Sequence, residues 1–229
     1  MKKALKIVVL AKQVPDTRNV GKDAMTPEGT VNRAALPAIF NPEDLNALEM
    51  ALALKDETEG STVHILTMGP PRAADIIRDA MFRGADGGYL LTDRKFAGAD
   101  TLATSYALSC ALRKIRPDVI VAGRQAIDGD TAQVGPQEEL LEIKADSLIV
   151  KRRLEHGTEI VECPLPLVMT VNGSAPECRP QNAKRVMKYK FAQTKSEIAA
   201  APDCMASAMA SAKAYLQIVE LAAADVDPD

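Results

Sequence analysis

Residues 123–137, GRQAIDGDTAQVGPQ, carry glycines, small residues and two carboxylates, Asp128 and Asp130, but no lysine. Such a loop can still hold a phosphate, provided that its backbone does the work. A helix start near Thr131 would aim unsatisfied N–H groups, and about half a positive charge, at an anion. Thr131 and Gln133 can add neutral hydrogen bonds. Asp128 and Asp130 then either satisfy the loop's own amides, as aspartates do at turns and caps, or meet a ribose hydroxyl. Arg124, the one full cation of the stretch, suits a phosphate, a flavin or a neighbouring carboxylate equally well.

Other loops can join this one. Leu10, Ala11 and Lys12 end a first apolar run, and Met68, Gly69 and Pro70 end a second. Asn41-Pro42 opens a helix that can lie nearby. Together they describe one crevice for a nucleotide. Nothing in the chain has the spacing of a nucleophile with its base, a Walker lysine, a G-x-G-x-x-G turn or a zincin helix. No catalytic residue and no metal ligand is expected. The four cysteines, Cys110, Cys163, Cys178 and Cys204, are far apart, which fits reduced thiols and a cytoplasmic protein. His64 and His156 read as structural.

The elements that position these loops alternate. Residues 6–12, KIVVLAK, and 62–68, TVHILTM, are apolar and β-branched, as strands buried on both faces are. Residues 89–91 and 118–122 continue the series. Between them run helices: one from Pro42, with Asn41 as N-cap, to about Asp56; one after Gly69-Pro70-Pro71; and one from Thr101 to about Lys114, capped by Asp100. Residues 13–40 read as a long irregular excursion. This order predicts an α/β fold, a mostly parallel, Rossmann-like sheet flanked by helices, with ligands beyond the carboxyl ends of its strands. Residues 148–163 alternate around His156-Gly157 and predict an antiparallel hairpin. Residues 165–171 are a further strand. Residues 179–195 hold six cations and no acidic residue, fitting either a solvated face or a docking segment. Residues 199–221 read either as an arm on another subunit or as a helix on their own domain. The division is a nucleotide-binding domain, 1–190, and a C-terminal arm, 191–229.

The 229 residues are 47% hydrophobic, enough for a substantial core, but only 3% aromatic, so aliphatic side chains must fill it. A net charge of −3 and the scarcity of aromatic platforms argue against nucleic-acid binding. The N-terminal apolar run is bracketed by Lys6 and Lys12 and reads as a strand rather than a signal peptide. No stretch reaches the ~18 apolar residues of a membrane span.

Several motifs together resemble one family, the beta subunits of electron-transfer flavoproteins. They are KQVPDT (12–17), NPEDLNALEMAL (41–52), TMGPP (67–71), GADTLATSYAL (98–108) and the opening stretch at 123–137, in family order. The resemblance implies a heterodimer with an alpha subunit that carries FAD. It implies an adenine nucleotide in the beta-subunit crevice: AMP in simple carriers, a second FAD reached by NADH in electron-bifurcating members. Leu10, Asn41, Pro42, Glu43, Asp44 and Met68 would line the adenosine pocket. Gly123, Arg124, Gln125, Ala126, Ile127, Asp128, Gly129, Asp130, Thr131, Ala132, Gln133 and Val134 would wrap ribose and phosphate. KQVPDT, TMGPP, GADTLATS and DGDTAQVGP look like the bifurcating, clostridial-type branch, which favours FAD; Asp100, Thr101 and Thr104 would then approach the flavin or NADH. Electrons would pass to the alpha flavin with its acyl-CoA or 2-hydroxyacid-type dehydrogenase, and to a low-potential acceptor such as ferredoxin. A family segment of about 15 to 20 residues, judged against ordinary connection lengths, is missing after Gln137. The family's apolar docking anchor is replaced near Ala183. The competing readings are an AMP-binding, non-bifurcating or purely structural subunit, and an adenine-nucleotide sensor or ATP-binding module resembling universal stress proteins.

Overall fold

A computed structural model describes residues 3–16, 37–128, 137–154, 156–200 and 218–226. The centre of the molecule is strand β1 (Lys6–Leu10), whose Ile7, Val8 and Val9 are fully buried. It pairs in parallel with β4 (Thr62–Met68) on one side and with β6 (Val119–Gly123) on the other. A strand so placed needs apolar residues at every position, because both faces are covered. Successive side chains indeed serve opposite layers. Ile7 and Val9 join the core under α1 (Pro42–Glu57) and α2 (Ala74–Arg83). Val8 joins Leu66, Leu91 and the buried Ala107, Cys110 and Ala111 of α3 (Thr101–Ile115).

Outward from this centre, β5 (Gly87–Leu91) pairs with β4, and β10 (Leu167–Val171) pairs with β6, both in parallel. The expected α/β class with a mostly parallel sheet is therefore observed. The expected hairpin is present as β8 (Ser147–Leu154) and β9 (Gly157–Pro164). It is the outer part of a three-stranded meander, because β7 (Gln137–Ile143) pairs antiparallel with β8. Strand β7 joins the parallel part through Thr170 and Gln137. No described helix is long and apolar enough to cross a membrane.

Two other segments differ from the sequence expectation. The base of the 13–40 excursion is a small ribbon, β2 (Gln13–Pro15) antiparallel to β3 (Ala38–Phe40). Within 199–221, residues 218–221 form a strand, β11 (Ile218–Leu221), on the free edge of β5. The IVEL sequence supplies β-branched residues, and the pairing satisfies an edge that would otherwise expose backbone donors and acceptors. Among the described residues the sheet order is β11-β5-β4-β1-β6-β10-β7-β8-β9.

The basic stretch splits by residue type. Arg179 reaches Glu49 at 2.9 Å and Asp56 at 2.9 Å on α1. Arg185 donates to the Ala85 carbonyl at 3.3 Å, and Arg83 donates to the Arg179 carbonyl at 2.8 Å. Farther on, Arg78 of α2 pairs with Glu197. The lysines of and beside α4 (Ala183–Tyr189), Lys184, Lys188 and Lys190, face outward with Met187 and Phe191. Thus the arginines strap this segment to α1 and α2, and the lysines remain on the surface.

Candidate functional site

A cavity of about 1020 Å³ opens at the carboxyl ends of β1, β4, β5 and β6, where a parallel sheet leaves its crevice. Residues 10–12 and 68–71 form its floor and one side, and 122–126 form a second side. The third wall is residues 92–94, a single 3₁₀ turn (Arg94–Phe96), and the exposed N-terminal half of α3. Asp100 starts that helix by accepting from the Ala103 N–H at 2.8 Å. Asp93 starts the turn by accepting from the Lys95 N–H at 3.0 Å.

Residues 41–44, NPED, hold the crevice together from beneath. Asp44 is 6% exposed and accepts from the Lys12 N–H at 2.8 Å and the Gly123 N–H at 3.2 Å. One carboxylate thereby ties the end of β1 to the end of β6. Glu43 accepts from the Gln125 N–H at 2.8 Å. Asn41, only 1% exposed, donates to the Gln125 carbonyl at 2.9 Å and accepts from the Ile127 N–H at 3.2 Å. The Asn41 side chain makes no cap bond to α1, although Asn41 occupies the N-cap position before a proline. Its amide is spent on the neighbouring loop instead. Gly123 is required for this arrangement: a Cβ there would lie 2.3 Å from Asp44 Oδ1 and 2.8 Å from the Glu43 carbonyl carbon.

Burial pushes the Asp44 carboxyl up to about 7, against the opposing pull of the Lys12 and Gly123 amides and the Asn41 side chain. The charges around the crevice are otherwise largely matched. Lys12 Nζ lies 2.8 Å from Asp128, whose side chain is 6% exposed. Arg124 lies 3.6 Å from Glu43. Arg124 thus has a neighbouring carboxylate, one of the partners expected for it, whereas the lysine partner of Asp128 was not expected from the sequence.

The structure brings most of the expected residues to one place. Leu10, Ala11, Lys12, Asp44, Met68 and Gly69 line the crevice, as do Asp100, Thr101 and Thr104. Gly123, Arg124, Gln125 and Ala126 complete it. Asn41 and Glu43 do not line it and act from below, while Pro42 and Ile127 line a separate hollow beside β3. Gly129, Asp130, Thr131, Ala132, Gln133 and Val134, with the expected helix start, lie outside the described residues. Sequence reasoning missed Thr92, Asp93, Arg94 and Phe96. The signal was available: TDR follows a strand, so the same carboxyl-end rule points to it.

A family model described as an electron transfer flavoprotein domain matches residues 28–196. The chain belongs to the electron-transfer flavoprotein family. Among its relatives is the caffeyl-CoA reductase–Etf complex subunit CarD of Acetobacterium woodii, 47% identical over 179 residues that cover 72% of this chain and 68% of that protein. An electron transfer flavoprotein subunit beta of Thermoanaerobacterium thermosaccharolyticum is 49% identical, covering 72% and 67%. The acryloyl-CoA reductase electron transfer subunit gamma of Anaerotignum propionicum is 48% identical, again covering 72% and 67%. The resemblance to electron-transfer flavoprotein beta subunits is borne out.

Proposed function

We propose that the crevice holds FAD and that the chain is the beta subunit of a heterodimeric, electron-bifurcating flavoprotein supplied by NADH. The observation that carries this reading is the extent of the crevice. At about 1020 Å³ it stands at the upper end of the range for small-molecule sites, ~300–1,000 Å³. It also spans two regions, the Asp44 corner and the wall at the start of α3, where a nucleoside monophosphate needs one. Its lining suits such a ligand: Leu10, Leu66, Met68 and Leu108 are apolar, with a few polar groups at the rim. Bound FAD would supply the redox chemistry, and the chain would supply position and electrostatics. Asn41, Glu43 and Asp44 fix the backbone of residues 123–127, so that this wall of the crevice keeps its position. The apolar floor keeps water from the bound rings.

The relatives named for caffeyl-CoA and acryloyl-CoA reductases support an acyl-CoA-type dehydrogenase as partner, beside the alpha subunit. A low-potential acceptor such as ferredoxin would take the second electron of a bifurcating subunit. The exposed Met187 and Phe191, flanked by lysines, support docking of that dehydrogenase at α4. The reading is tested on the purified complex with its alpha subunit, by extracting the nucleotides and recording the visible spectrum. A second flavin that NADH bleaches is the expected result. One flavin with AMP would sink the proposal in favour of a simple carrier, and ATP turnover without flavin would favour a nucleotide sensor.

A further inference from the structure

Resting on the dinucleotide reading above, we propose that Arg94 selects a ligand carrying a second phosphate over a nucleoside monophosphate. Among the described residues three cations line the crevice: Lys12, Arg94 and Arg124. Two have carboxylate neighbours. Lys12 is 2.8 Å from Asp128, and Arg124 is 3.6 Å from Glu43. The Arg94 guanidinium has no hydrogen-bond or ion-pair partner among the described residues.

The carboxylates nearest in sequence do not neutralise it. Asp93 accepts from the Lys95 N–H at 3.0 Å and from the Ala223 N–H at 3.1 Å. Asp100 accepts from the Ala103 N–H at 2.8 Å. These bonds commit both oxygens of Asp93 and one of Asp100 to the backbone, and fix the turn from which Arg94 projects. A wall with two carboxylates would repel an anion; the guanidinium is what makes it receptive. Its planar fork matches the oxygens of a phosphate, and an anchored base reduces the ordering cost of that contact.

Position gives the selectivity. Residues 122–126 and the turn at Arg94 belong to different walls of the crevice. A single phosphate at the end of β6 lies beside Arg124, because the Gly123, Arg124 and Gln125 N–H groups are already taken by Asp44, the Val171 carbonyl and Glu43. A diphosphate offers a second group to the other wall, and Arg94 is the cation there. The charge carried by this wall thus compensates for the missing lysine of the loop at 123–137.

The test is calorimetric titration of the full chain, freed of nucleotide, with AMP, ADP and FAD. Wild-type protein should prefer ADP and FAD to AMP. Arg94→Gln should lower the ratio of ADP to AMP affinity by about tenfold or more, the usual effect of losing a charged hydrogen bond. Arg94→Lys should recover part of that ratio, and both variants should melt with the wild type because the side chain is exposed. A preference for ADP and FAD that Arg94→Gln leaves unchanged would overturn the role of Arg94 and leave the dinucleotide reading standing. A wild-type preference for AMP would overturn both.

Discussion

Two regions flank α1, and they are held by opposite chemistry. Under the crevice, Asn41, Glu43 and Asp44 chiefly accept hydrogen bonds from the backbone N–H groups of residues 12 and 123–127. Along the outer side of α1 and α2, Arg78, Arg83, Arg179 and Arg185 donate to carboxylates and carbonyls. Acceptors are the right anchors where loop amides must be held in place. Donors are right where a strap must lie across two helices whose outward side chains include Glu49, Asp56 and Asp79. The difference has a cost on the crevice side: one of its acceptors, Asp44, is an ionisable carboxyl and is buried.

That cost gives the largest expected effect. A carboxyl whose folded value is about 7, against an ordinary 3.8, binds more protons folded than unfolded between those limits. Its contribution is therefore most favourable below pH 3.8 and is lost as pH rises toward 7, by about 4 kcal/mol at most. Urea denaturation at several pH values should show this slope, and Asp44→Asn should flatten it; an unchanged slope would remove Asp44 as its source. Next, Gly123→Ala breaks the clamp sterically and should destabilise by about 3 kcal/mol, with loss of nucleotide affinity. Retained affinity would mean that the clamp does not position the loop.

On the other side, Arg179→Ala should cost about 2 kcal/mol, because the mostly buried Glu49 loses the guanidinium and keeps only the backbone N–H of residue 179. Nucleotide affinity should stay within about twofold; a larger loss by calorimetry would join two regions that are here kept apart. The smallest effect belongs to the rim. Lys12 is half exposed but its partner Asp128 is only 6% exposed, so Lys12→Met should cost about 1 kcal/mol in thermal melts, and less in high salt.

Much of this was legible in the sequence, for a physical reason. The strands β1, β4 and β6 are buried on both faces, so their sequences are continuous β-branched runs that announce themselves. Asp100 caps α3 as its position suggests, because a cap is a local interaction. Asn41 shows the opposite case. Its residue type and the following proline signal a cap, yet its side chain serves Gln125 and Ile127, 84 and 86 residues away. No local pattern encodes that choice. Strands β2, β3 and β11 are three or four residues long, too short to show a period, and exist through their partners. The wall at Arg94 was missed for a lesser reason: the loop after β5 opens with a threonine and an aspartate and carries no glycine until Gly98.

Strand β11 has a further consequence. The Thr92 N–H donates to the Leu221 carbonyl at 2.9 Å, and Asp93 receives the Ala223 N–H. The wall that carries Arg94 is therefore braced by residues 218–226, although its own sequence ends near residue 108. Synthesis proceeds from the N-terminus, and domains fold as their residues emerge. The two walls formed by β1, β4 and β6 can assemble while the chain is still on the ribosome. The third waits for residues that emerge more than a hundred positions later. The wall that carries Arg94 is thus the last of the three to gain its full set of hydrogen bonds, although it is among the earlier ones to be synthesised.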